Sequence, residues 1–540
     1  MNCATSCTSR SVPTSTFILF AAILAMMLTT GCGSGGSTLK TPPPPQYTQV
    51  TVVLTSTAND QVSELNLNFQ GITLTSQSGK TVSVLAAQQP SEFIHLNGAI
   101  DPLITATVPQ GIYTAATAAI PYGESVCITN GASVGAGIAM AYYNSNLPTS
   151  SVTVTLPSPI TVTGTSMVLA LNMAVSNSAT VPNCLGAGTT GFAGFTLTPT
   201  FSLAPLTLSS SPTNAANGEF LGLEGEVASL ASSKNGFNLS IAEGPYGTRA
   251  VSVSTASTTV FQGINNFTSL EAGMFVNMDG ALQAGGSIAA TRIAVEDPTA
   301  VNMFTGPLLF IDTEVPALML YGRQEQGQLS PGPNASGDYF DTPEIGFSNA
   351  GFGISGQLTN VQNLPFVASF NASNMVAGQN VDLSSQALSV TGGVYTPANT
   401  ITLIPQTVDA TVMASNPTTG GFTDYTVTLA SYDLFPNLSV QQGQTTLLNN
   451  PSEMEVYVDS NTQKLNTQQP LAAGSTLRFY GLVFNDNGTL RMDCAQVNDG
   501  VAFTTQSNGA NQRPTVKAQT TRREIPGGLP EIITTVSRTE

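Results

Sequence analysis

The sequence predicts an all-β protein, an N-terminal antiparallel β-sandwich followed by three small β-barrel-like units, and three observations predict it. Apolar residues recur at every second position in short runs, Val50, Val52 and Leu54, then Leu65, Leu67 and Phe69, then Val82 and Val84, with Gly, Asn, Pro and Ser between them. That is the signature of half-buried strands, and no helical period intervenes. Only 9% of the 540 residues are charged against 41% hydrophobic, with 50 Gly and 33 Pro, a composition too poor in Glu, Lys and Arg for long helices. A short motif also returns three times at long spacing, which composition alone would not keep in register.

Residues 17–28 (FILFAAILAMML) form an apolar run behind a polar leader carrying Arg10. The run is too short to cross about 30 Å of hydrocarbon, so residues 1–31 read as a signal peptide. Thr29, Thr30 and Gly31 lead into Cys32, and this stretch resembles the bacterial lipobox, whose cysteine becomes the lipidated first residue of the mature chain. It departs from that pattern in having Thr29 where Leu is usual, with Leu28 one residue earlier. Ordinary cleavage near the same point is the alternative. Residues 32–47 pass from Gly-Ser-Gly-Gly-Ser into Thr41 and four prolines, a flexible then stiff tether. With Gly rather than Asp at position 33, the resemblance to Gram-negative lipoproteins implies an outer-membrane lipoprotein facing the periplasm or the cell exterior.

Cys3 and Cys7 leave with the signal. Cys127 and Cys184 lie in loop-like sequence (VCITNG, PNCLG) within one expected domain and are expected to form a disulfide in an oxidising compartment. Cys494 falls in a strand pattern and reads as a buried small hydrophobe. No CxxC spacing is present to support a redox motif or a thiolate metal site.

Residues 48–205 make the expected sandwich. The opening VTVVLTS, the run from Val108 through Pro109, Gln110, Gly111 and Ile112 to Tyr113, Leu156-Pro157-Ser158 before LALNMAV, and a closing strand at Phe195-Thr196-Leu197-Thr198-Pro199 together resemble a lipoprotein-associated domain of unknown function. That resemblance implies a carboxypeptidase-regulatory-like or transthyretin-like sandwich, a carbohydrate-binding-like fold. A polar linker near 209–217 follows. Then Leu270-Glu271-Ala272-Gly273 is echoed by Met375-Val376-Ala377-Gly378 and Leu471-Ala472-Ala473-Gly474, 105 and 96 residues apart (378 − 273 and 474 − 378), each with an aliphatic three places on: Val276, Val381, Leu477. The first and third units also align without gaps, 286–297 with 488–499. The repeat resembles a second domain of unknown function, a small barrel of OB-like character with an L-x-x-G turn and a later A-T-R-I, here Ala290 to Ile293. The second unit has Ser385 where a later glycine is expected, and the third has Ala495 in place of Ile293. The units run 218–303, 304–405 and 406–500. Residues 501–540 carry five of the 15 basic residues among Thr, Gln, Asn and Pro, and read as a disordered tail.

A net charge of −17 argues against nucleic acid or anionic lipid as partners. One His and no Trp exclude a multi-histidine metal or haem site and a Trp-based sugar platform. Gly131-Ala132-Ser133-Val134-Gly135 fits the G-x-S-x-G nucleophile elbow, but that elbow needs a strand-turn-helix setting and a His after the Ser, whereas His95 precedes it. Asp312 with Glu314, and Asp338, Asp341 and Glu344 in a Gly/Pro/Asn-rich loop, are weak candidates for Ca²⁺, set against a plain solvated loop. Asn485-Asp486-Asn487-Gly488 reads as a type I′ hairpin. Tyr142-Tyr143, Tyr321 and Tyr339-Phe340 are candidate sugar-stacking aromatics, set against the ordinary role of Tyr at the rim of a core. The sequence therefore points to a non-enzymatic, lipid-anchored envelope protein with a structural or surface-interaction role. Its partners would be the membrane, through the lipid, and an envelope protein or polysaccharide. The alternative is a binding module for polysaccharide or peptide in a surface-attached uptake or degradation system. No catalytic residue and, apart from Ca²⁺, no cofactor is expected.

Overall fold

A computed structural model describes residues 46–57, 64–94, 96, 100–130, 138–146, 151–180, 196–212, 214–233, 235–242, 248–312, 316–327, 345–356, 361–386, 396–417, 420–430, 433–438, 447–465, 470–498, 517–524 and 530–537. The protein is all-β, and the longest helix among these residues is Leu434–Leu438.

The first sheet runs Thr81–Leu85, Gly71–Ser76, Gly111–Ala119, Ser151–Thr155, Phe201–Leu206, Ser166–Ala174, Tyr47–Thr57, Asp101–Pro109. It faces a second sheet in which Glu64–Phe69 pairs with Gln89–Glu92 and Tyr122–Asn130. Val50, Val52, Leu54, Leu65, Leu67 and Phe69 all fall in the core between them, with Phe69, Phe93 and Phe201 packed 5.7–6.1 Å apart at their ring centres. Two pairings depart from the antiparallel expectation: Tyr47–Thr57 runs parallel to Ser166–Ala174, and Ser151–Thr155 parallel to Phe201–Leu206. Period two registers which face a side chain takes and is blind to strand direction. The strand that closes the sheet is Phe201–Leu206; the expected Thr196-Leu197 makes only a short bridge with Ala179–Thr180. Leu203 alternates into the core as Leu197 does, so both stretches read alike.

The C-terminal stretch also departs from expectation. Lys517–Glu524 and Pro530–Ser537 pair as antiparallel strands, and the second runs parallel to Ile138–Asn146 in the second sheet of the sandwich. Ile532, Ile533, Thr534, Thr535 and Val536 are β-branched, a strand-favouring run that the polar composition of the whole tail obscured.

The three units share one topology. In the first, Glu219–Leu230 lies between Gly236–Ala242 and Phe275–Leu282; Thr248–Ser254 and Ile288–Ala294 extend the sheet and pair with each other in parallel, closing a barrel. The third repeats this with Gln406–Pro417, Thr423–Leu429, Glu453–Val458, Thr476–Asp486 and Thr489–Asn498. In the second, Asn302–Asp312 takes the place of the first strand, and Asn380–Ser385 pairs with Thr400–Leu403. The closing parallel pair is Ile345–Gly346 with Thr396–Pro397, so the last strand is split at Ala398 and Asn399.

The repeated glycines have φ of 92°, 99° and 83° at Gly273, Gly378 and Gly474, a left-handed turn that disfavours other residues. Each donates its N–H to the carbonyl of a bulged first-strand residue, Val227, Leu308 or Val412, at 2.7–2.9 Å. Val276, Val381 and Leu477 are buried behind these turns. A second glycine position explains the split strand. A Cβ on Gly280 would stand 2.6 Å from the Ala289 carbonyl oxygen, and one on Gly481 2.0 Å from that of Asp493, at bulges where the last strand presses close. The second unit has Ser385 there, its hydroxyl bonded to the Pro397 carbonyl at 2.9 Å, and its last strand is broken alongside.

The gapless alignment of 286–297 with 488–499 is displaced by two residues. Thr259 donates to the Ala290 carbonyl and Thr462 to that of Cys494, each at 2.8 Å, so Ala290 corresponds to Cys494 rather than to Met492. A shift of two leaves every side chain on its own face, which is why the pattern could not detect it. Asn487 and Gly488, with φ of 52° and 90°, make the expected two-residue hairpin.

The modules are welded together. One core unites Val53, Ile100 and Val168 of the sandwich with the interior of the first unit; another joins the second unit to Phe422, Tyr457, Leu482 and Phe484 of the third. The linker near 209–217 takes part, since Ala215 is buried in the first of these.

Candidate functional site

Counting from the repeated glycine, each unit places a polar pair at the same cross-strand position: Glu224 opposite Asn277, Thr305 opposite Asp382, Asp409 opposite Arg478. Asn277, Asp382 and Arg478 are each flanked by apolar core residues, so alternation turns them to the outside of their own barrels. They are nevertheless buried, and between the first and second units Thr305 touches Glu224 across that outer face.

In the first unit Arg292, the arginine of the A-T-R-I stretch, holds Asp279 Oδ2 through Nε at 2.5 Å and Asn277 Oδ1 through Nη2 at 2.6 Å. Asn277 Nδ2 donates to Glu224 Oε1 at 3.0 Å. The Thr305 hydroxyl of the second unit lies 3.0 Å from Glu224 Oε2 and 2.7 Å from Asp382 Oδ1. A hydroxyl carries one hydrogen and cannot fully satisfy two carboxylates, so the arrangement favours a proton on one of these two acids.

The electrostatics agree. Burial, then the repulsion of Glu224 and Glu296, holds Asp382 well above the usual carboxylate range. Burial raises Glu296 to about 7; the Thr402 hydrogen bond opposes this, Glu224 adds to it and Arg292 opposes it. Tyr480 of the third unit is pushed above its ordinary value by burial and by Glu224, Asp279 and Asp382. Beside these acids lies a void of about 10 Å³ lined by Glu224, Glu296, Asp382, Asn277 and Gln326. That is room for one water, and the buried Gln326 Oε1 has no hydrogen-bond partner among the described residues.

Glu224 and Thr305 also line a larger cavity of about 170 Å³, where the sandwich and all three units meet. The sandwich contributes Asp101, which forms a buried ion pair with Arg249 of the first unit. Glu219 accepts from Gln463 Nε2 of the third unit at 2.7 Å, and burial raises its pKa. The arrangement can share a proton between acids and offer buried acceptors to a bound donor.

Among the described residues, no group of three or more His, Cys, Asp or Glu side chains is placed to hold a metal ion. Asp338, Asp341 and Glu344 lie outside the described residues, as do Glu314, Cys32, His95, Cys184, Tyr339, Phe340 and the stretch 131–135. For Cys127, Tyr142 and Tyr143 only the strand is described. Tyr321 is wholly buried, so it is no stacking platform; its backbone is drawn in by a 3.0 Å bond from its N–H to the Pro307 carbonyl. Cys494 is a free, buried thiol in the core of the third unit, pushed above its ordinary pKa by burial. Sequence reasoning missed Glu224, Glu296 and Asp382. The signal was present in Glu224 and Asp382, ionisable residues set inside apolar strands of a sparsely charged chain, the one on the first strand of its repeat and the other on the strand opposite the first in the next repeat.

Residues 224–294 match the family model described as a domain of unknown function, DUF5666. No curated protein matches the chain. Among solved structures, a glycoside hydrolase family 32 structure from Bifidobacterium adolescentis matches at 8% identity over 83% of this chain and 67% of that one, with a TM-score of 0.11, too low to carry an argument.

Proposed function

We propose that this is a non-enzymatic, lipid-anchored protein of the bacterial cell envelope, held at the outer membrane through Cys32, whose body presents a fixed surface to envelope partners. The observation that carries the reading is the welding of the modules: cores run across the boundaries between sandwich and first unit and between second and third units. A body fused in this way holds its surfaces in constant relation, as a presenting scaffold requires, and the Gly/Pro tether over 32–47 sets it away from the membrane. The sequence resemblances of 48–205 to a lipoprotein-associated sandwich and of the repeats to an OB-like barrel belong to the same reading.

Growth with a labelled fatty acid tests the anchor. The wild-type chain is expected to take up label and sediment with outer membranes, and Cys32→Ser to lose both properties. Label retained in Cys32→Ser, or an unlabelled wild-type chain free of membranes, would refute anchoring. Turnover of any substrate by the purified body would refute the non-enzymatic part.

A further inference from the structure

We propose that the cavity of about 170 Å³ between the sandwich and the three units binds a small uncharged molecule, a six-membered ring carrying an amide-like edge. This goes beyond the anchoring and presentation described above and does not depend on them. Two buried side-chain amides carry the proposal. Asn380 of the second unit is 7% exposed and Gln496 of the third 8%, and both line the cavity. Each precedes a core residue, Val381 or Val497, so alternation turns it to the outside of its own barrel, the side on which the cavity lies. Neither side-chain amide makes a hydrogen bond within the described residues, and neither is sealed into protein, so each opens onto the space it lines. Gln406 in the same wall is the contrast, since its amide accepts from the Asn380 N–H and donates to the Gly378 carbonyl.

A side-chain amide holds a donor and an acceptor side by side, and burying one without partners is costly. A ligand edge with its own N–H beside a C=O answers both ends at once. The charged lining does not call for an ion. Asp101 is paired with Arg249, Glu219 and Glu224 accept from Gln463, Asn277 and Thr305, and Arg323 and Asp433 have partners of their own. Much of the remaining wall is apolar, with Ile94, Leu96, Phe220, Ile241 and Ile404, and suits the carbon body of a ring. A cavity of roughly 150 Å³ in another protein accommodates benzene, so a six-membered ring is of the right size.

Calorimetric titration of the full chain at pH 7 with 2-piperidone, cyclohexanone and piperidinium tests this. The three rings are alike in size; the lactam has donor and acceptor, the ketone has the acceptor alone, and the third is a cation. The lactam is expected to bind one to one, about tenfold tighter than either of the others. Gln496→Leu, which keeps the bulk and removes the amide, is expected to weaken lactam binding about tenfold and to erase its advantage over the ketone. No lactam binding, a ketone that binds as tightly, a piperidinium that binds as tightly or better, or a lactam affinity unchanged in Gln496→Leu would each overturn the proposal. The ligand comparison uses the unmodified chain and stands even where the variant fails to fold.

Discussion

The third unit neutralises itself where the first and second do not. At one cross-strand position it sets Asp409 against its own Arg478, 4.0 Å apart and both buried. The first and second place Glu224 and Asp382 there and turn them toward each other across Thr305. One cross-strand pair of positions thus holds an ion pair within one repeat and supplies a seam between repeats in the others.

The largest effect should come from the glycine that lets the third unit keep a continuous last strand. Gly481→Ala must displace the Asp493 carbonyl, and we expect a loss of about 3 kcal/mol or more in denaturant unfolding. Ser385→Gly in the second unit should be far milder, because that strand is already broken. Equal costs at the two positions would break the comparison.

Arg478→Met strands Asp409 in the interior without its cation. The expected loss is about 3 kcal/mol, whereas Asp409→Asn with Arg478→Met together should recover part of it. Non-additivity of this kind, read from a double-mutant cycle, separates a closed pair from two independent buried groups.

The seam between the first and second units should respond to pH. Asp382 and Glu296 have folded pKa values above their unfolded ones, Glu296 at about 7. The folded state therefore holds more protons than the unfolded state from about pH 4 upward. Stability from these groups is fully present below that pH and is lost as pH rises through the folded values. Glu325, raised by burial to about 8, and Asp493, raised by burial and by Asp459 to about 7, act in the same sense. The melting temperature should fall between pH 5 and pH 8, and Asp382→Asn, which carries its own hydrogens, should flatten the slope. A slope unchanged in that variant would remove the seam as its source.

The smallest expected effect is at the contact between the second and third units. Arg491 lies 5.3 Å from the centre of the Phe366 ring and pairs with Glu455 and Asp486 at 2.9 Å, partly exposed. Arg491→Lys should cost only about 0.5–1 kcal/mol, measurable as a small shift in midpoint.

Much of the fold was legible because alternation and turn chemistry are local. Val50, Val52 and Leu54 face the core as read, and the three repeated glycines have the positive φ their turns require. The seam was not legible, since Glu224 and Asp382 are separated by 158 residues (382 − 224) and meet only when two barrels pack outer face to outer face. Nor was the two-residue displacement in the last strand of the third unit, because period two repeats itself at that shift.

By itself the chain determined its strands, their faces and the turns that needed glycine, all set by sterics within a few residues. Only tertiary packing decided strand direction, the parallel pairs that close the barrels, and the convergence of scattered acids. Those depend on long-range contacts that no short window of sequence contains.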